Sequence, residues 1–111
     1  MARFDFIVLS RCTPGKEKEF EDWYINQHLV DVCKIDGVVG ARITQLQFQK
    51  VYELDAPQWG YLTFYTLDCD DPQPILDEID RVKGTDEMPL SPYLNREGLL
   101  QAIGKEIGSY P

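Results

Sequence analysis

The chain carries one histidine, His28, four residues after Tyr24 in the stretch Asp22-Trp-Tyr-Ile-Asn-Gln-His-Leu-Val-Asp-Val32. A phenol and an imidazole at i,i+4 project side by side from one face of a helix. At about 100° per residue, Phe20, Tyr24, His28, Val32 and Ile35 fall on one arc, with Ile25 close to it. In an apolar cavity between that helix and a sheet, the pair could transfer a proton. A neutral imidazole with a pKa near the working pH can abstract it, and the phenol can stabilise the enolate left behind. The same pattern also suits a core histidine bonded to a tyrosine or a backbone carbonyl, and the spacing leaves both alternatives open.

Further candidates surround the pair. Trp23, Tyr52, Trp59, Tyr61 and Tyr65 could line a pocket for a planar ligand together with Phe20, although aromatics on strands also serve as plain core or subunit contacts. Arg42 is a basic residue in an otherwise uncharged strand; it could meet an anionic substrate group or form a surface or subunit ion pair. Asp31 could orient an imidazole nitrogen or stand as a solvated charge. One histidine and scattered cysteines give no metal-ligand spacing, and nothing beyond His28 itself could hold a haem, so no metal and no cofactor are expected.

The elements that must position these residues follow from pattern. Residues 4–10, FDFIVLS, predict a first strand with both faces partly covered. Thr13 suits an N-cap and Pro14 a first helical position, with Glu17 and Glu19 near the positive end of the dipole, so a helix is predicted from there to about Ile35, stopped by Asp36-Gly37. Alternation over 38–52 predicts a strand, "DAPQWG" a turn, and 60–66, GYLTFYT, its hairpin partner. Asp71 as N-cap, Pro72 as first helical residue and Ile75, Leu76, Ile79 and Val82 at helical spacing predict a second helix to about Lys83. Residues 84–98 read as a loop that could act as a lid, and 99–108 as a closing strand.

The order βαββαβ is that of an α+β, ferredoxin-like domain spanning residues 1–111: an antiparallel sheet with two helices on one face. Two helices cover only one sheet face, yet Ile7, Leu9, Leu62 and Phe64 place apolar side chains on the other. A second copy packing sheet to sheet would cover it, so a homodimer is expected.

Composition narrows the function classes. With 43% hydrophobic residues in 111, the chain can build a core, and its formal charge of −8 repels phosphate backbones and anionic headgroups, so neither nucleic acid nor membrane is an expected partner. The GYLTFYT strand also lacks the basic aromatic pattern of an RNA-binding sheet. Cys12, Cys33 and Cys69 are widely spaced and odd in number, which fits a reducing cytoplasm better than a disulfide framework. Arginines and acids interrupt the first apolar run, unlike a signal peptide.

The segment EFEDWYINQHLVDV followed by a glycine-led hairpin resembles the EthD-like branch of the dimeric α/β-barrel superfamily, through Phe20, Trp23, Tyr24, His28 and Gly37. Where that branch usually has Pro-Gly after the histidine helix, this chain has Asp36-Gly37. The resemblance implies a dimeric α/β barrel in which His28 and Tyr24 line a pocket between helix and sheet, with Trp23 near its rim. Members of the superfamily share a fold and differ in chemistry, including cofactor-free monooxygenases, muconolactone isomerase, polyketide cyclases and haem enzymes. The expectation is a cofactor-independent lyase, isomerase or cyclase acting on a small aromatic, polyketide-like or lactone intermediate, with His28 as base and Tyr24 as hydrogen-bond donor. The alternatives are a non-catalytic binding or accessory protein, with a small hydrophobic or aromatic ligand, and a cofactor-free monooxygenase.

Overall fold

The computed structural model describes residues 2–55 and 58–111. Four strands, β1 (Ala2–Cys12), β2 (Val38–Gln45), β3 (Tyr61–Cys69) and β4 (Leu94–Lys105), form one sheet in the order β2-β3-β1-β4 with every neighbour antiparallel. This is the ferredoxin-like arrangement that the element order predicts. The first helix comprises α1 (Glu17–Trp23), a π-helical turn (Tyr24–His28) and α2 (Leu29–Cys33); the second is α3 (Gln73–Val82).

Period-two alternation in β1 and β3 sets the layers. Phe6, Val8, Tyr65 and Leu67 are buried and pack against Val32, Ile75, Ile79 and Val82 of the helices, so both helices cover one face. Ile7, Leu9, Leu62 and Phe64 point the other way and stay partly exposed, joined on β4 by Leu100. Ile25, placed near the apolar arc by the helical wheel, is half exposed.

Gly37 ends the first helix for two separate reasons. Its φ is +98°, and a Cβ there would stand 2.7 Å from Cδ1 of Ile75. The chain can therefore reverse against α3 only where no side chain exists.

The predicted element boundaries need four corrections. Thr13 does not cap the first helix: Lys16 N–H donates to the Thr13 carbonyl across Pro14 and Gly15, and Gly15 has φ +85°. Proline then glycine in the central positions selects a type II turn, which delays the helix to Glu17. Asp71 does accept from the Gln73 amide at 3.0 Å, but α3 begins one residue later than predicted, after Pro72. The strand predicted over 38–52 stops at Gln45, because the Gln49 carboxamide replaces backbone pairing: it donates to the Trp59 carbonyl at 2.6 Å and accepts from the Trp59 amide at 3.0 Å. Finally, β4 starts at Leu94 rather than 99, with a register shift opposite Leu9–Arg11 that accommodates Gly98 at φ +76°. It ends at Lys105 rather than 108. Of the predicted turn, Ala56 and Pro57 lie outside the described residues.

Candidate functional site

A cavity of about 170 Å³ lies between the first helix, α3 and the inward face of the sheet. That is well below the roughly 300–1,000 Å³ of pockets for drug-sized ligands, so it suits a single-ring molecule. Its walls are apolar, from Phe6, Val8, Val32, Ile79, Met88 and Leu99, and its polar groups are few.

Tyr24 and His28 both line it, as do Trp23 and Tyr65. The π turn explains how. The Leu29 amide donates to the Tyr24 carbonyl, five residues back, which widens this turn of the helix. His28 consequently meets two neighbours at once: it stacks on Trp23, with ring centroids 4.7 Å apart and planes 25° off parallel, and stands edge-on to Tyr24 at 5.1 Å and 87°. Trp23 is held from outside, its Nε1 donating to the Pro89 carbonyl at 3.0 Å. That bond ties the helix to the segment between α3 and β4, whose Met88 is buried and whose Leu90 lines the cavity.

Electrostatics follow from burial. The His28 imidazole is pushed down from 6.5 to about 4, mainly by desolvation and partly offset by the nearby Asp31 carboxylate. It is therefore neutral at physiological pH and a weaker base than its spacing alone suggests. Asp31 is engaged elsewhere, accepting from Gln27 Nε2 at 2.8 Å and lying 3.7 Å from Lys34. Burial raises the phenol of Tyr24, with the Thr63 and Tyr65 hydroxyls drawing it partly back, and raises that of Tyr65 as well.

Among the described residues five buried polar side-chain atoms complete no hydrogen bond of good geometry: Nδ1 of His28, the hydroxyl of Tyr65, Oγ of Ser10, Oγ1 of Thr63 and, away from the cavity, Nε of Arg11. Ser10, Thr63 and Tyr65 belong to the inward faces of β1 and β3, with Ser10 opposite Tyr61 and Val8 opposite Thr63 in the ladder. Leaving a buried polar atom unpaired costs about 1–3 kcal/mol, and such atoms are uncommon in native interiors. Three of the five belong to residues that line the cavity, Ser10, His28 and Tyr65.

Other sequence candidates lie elsewhere. Phe20 is fully buried behind the site, packed on Trp23, Tyr24 and Tyr61. The Tyr61 hydroxyl donates to Glu21 at 2.7 Å and does not reach the cavity. Trp59 anchors the 46–60 segment to β4 by donating from Nε1 to the Gly98 carbonyl at 2.9 Å. Tyr52 is exposed. Arg42 lies on the open face of the sheet, its guanidinium 4.6 Å from the centre of the Phe64 ring. Ser10, Thr63, Lys83 and Arg96 were not singled out from sequence, because they come from four separate elements and carry no shared spacing. Among the described residues no group of three or more His, Cys, Asp or Glu could hold a metal ion, and the three cysteines are unbridged.

The fold and the cavity define an α+β protein of ferredoxin-like topology with a small, mostly apolar pocket between helices and sheet. No family model and no curated protein matches the sequence. Among solved structures, an ethyl tert-butyl ether D (EthD) family protein from Bacillus halodurans matches over 95% of this chain and 99% of its own, with a TM-score of 0.54 and 16% identity. The two proteins share a fold, which is the one that the Trp-Tyr-x-x-x-His segment suggests. No helix among the described residues is long and apolar enough to cross a membrane.

Proposed function

We propose that the cavity binds a small ring compound and that His28 and Tyr24 act on it without a cofactor, as in a lyase, isomerase or cyclase of aromatic, polyketide-like or lactone intermediates. The observation that supports this most is the unpaired Nδ1 of His28 beside the Tyr24 phenol, inside an otherwise apolar enclosure. In the chemistry proposed, the imidazole takes a proton from a carbon next to a ligand carbonyl. The electron pair moves to the carbonyl oxygen, and a hydroxyl of Tyr24 or Tyr65 donates to the enolate oxygen. An imidazole of pKa about 4 accepts that proton at a disadvantage of about 4 kcal/mol at pH 7. The enolate formed beside it offsets part of the disadvantage, because an opposite charge at close range favours the imidazolium.

The low pKa also favours a second reading, a binding or accessory protein in which the neutral imidazole only hydrogen-bonds its ligand. Solvent deuterium discriminates between the two. Single-ring ketones, phenols and lactones incubated in heavy water should gain deuterium with the wild-type protein and not with His28→Gln. Compounds that bind and gain none would give the binding protein its place, as would incorporation unchanged in the variant.

The protein we propose works as a homodimer. The open sheet face, with Ile7, Leu9, Leu62, Phe64 and Leu100, supports pairing of two copies about a closed two-fold axis.

A further inference from the structure

The rim of the cavity has a charge opposite to that of the chain. Nineteen acidic residues face eleven basic ones over the whole sequence, yet no Asp or Glu lines the cavity, whereas Lys83 and Arg96 both do. They come from different elements: Lys83 follows the last residue of α3, and Arg96 lies near the start of β4. Gln101 of β4, opposite Val8 in the ladder, adds a carboxamide to the same rim. Lys83 is paired with Asp80 at 2.9 Å, but its side chain is about half exposed and that of Asp80 more so, and an exposed ion pair of this kind yields readily to a better partner. Arg96 has no ion-pair or side-chain hydrogen-bond partner among the described residues.

We infer that the ligand of this cavity is a ring carboxylate, its anionic group held at the rim by Arg96 and Lys83 and its ring and further oxygen directed inward to Trp23, Tyr24 and His28. The inference rests on the cavity being the ligand site proposed above. A guanidinium matches a carboxylate in a planar, two-bond fork, and an ammonium beside it adds charge without fixed geometry. The enclosure of about 170 Å³ leaves room for one ring rather than a fused system. A cavity lining without Asp or Glu, on an acidic protein, also lessens the repulsion an anion meets at the last step.

Benzoate and benzamide have the same shape and differ in charge. Trp23, which lines the cavity, supplies a fluorescence signal for both. Benzoate should bind at least ten times more tightly than benzamide and weaken as salt is raised. Arg96→Gln should abolish that preference, and Lys83→Gln should reduce it, with melting temperatures unchanged because both side chains are exposed. Equal binding of the two rings, or a preference that survives Arg96→Gln, would overturn the carboxylate assignment and leave the cavity reading in place. No response to either ring would overturn both.

Discussion

The histidine is the residue on which the proposed site depends, and the burial of its Nδ1 makes that role measurable. Its folded pKa is lowered to about 4 from 6.5. Above pH 6.5 the imidazole is neutral in both folded and unfolded chains, and its titration contributes nothing to their difference. Below that, the unfolded chain takes up a proton that the folded protein refuses, so stability falls as pH drops through the window from 6.5 to about 4. The loss between pH 7 and pH 5 should be about 2 kcal/mol in wild type and absent from His28→Gln, as read by urea unfolding of both proteins at the two pH values. Equal pH dependence in the two would mean that His28 is solvated. Tyr65 permits the complementary test. Its hydroxyl is buried and meets the Tyr24 phenol without completing a hydrogen bond of good geometry, so Tyr65→Phe should change stability by no more than about 1 kcal/mol while weakening ligand binding. A loss of several kcal/mol would assign that hydroxyl a structural bond. At this scale the sequence made the Tyr24–His28 pair legible through its i,i+4 spacing. The stack on Trp23 was not legible, because it arises from a π turn that Tyr-Ile-Asn-Gln-His does not announce.

At the scale of elements, local chemistry decided most boundaries. The first strand, the Gly37 stop and the proline-led α3 could be read because each rests on a short-range rule of alternation, positive φ or capping. The misplaced boundaries have a different cause. Gln49 substitutes its side chain for a strand residue, and Pro14-Gly15 forms its own turn ahead of the helix, so the outcome depended on partners far along the chain or on a turn competing with a cap. Gly37 gives the sharpest prediction here. Gly37→Ala must hold a strained φ and displace Ile75, which should destabilise the fold by about 1–3 kcal/mol in urea unfolding, whereas a change within error would mean the turn rearranges freely. Residues 84–98 read as a loop that could act as a lid; β4 takes up the stretch from Leu94, and in the part that stays a loop Met88 and Leu90 line the cavity. The loop amides at Gly84 and Met88, bonded to the Met88 and Thr85 carbonyls, should exchange hydrogen well below free-peptide rates.

For the whole molecule, the uncovered sheet face and the positive rim on an acidic chain are the two features that no single element explains. Pairing of copies through the open face predicts a stable dimer at micromolar concentration in analytical ultracentrifugation. Phe64→Glu, at the centre of that face, should shift it to monomer without unfolding it; a wild-type monomer would contradict the pairing. The central claim, that His28 is a half-buried, neutral, ligand-facing group, has a direct test because the chain contains only one histidine and hence one imidazole signal by NMR. Titrated alone, that signal should stay neutral until the pH approaches about 4, and a bound ring carboxylate should move both its position and its pKa upward. An imidazole that titrates near 6.5 and ignores every ring compound would contradict it.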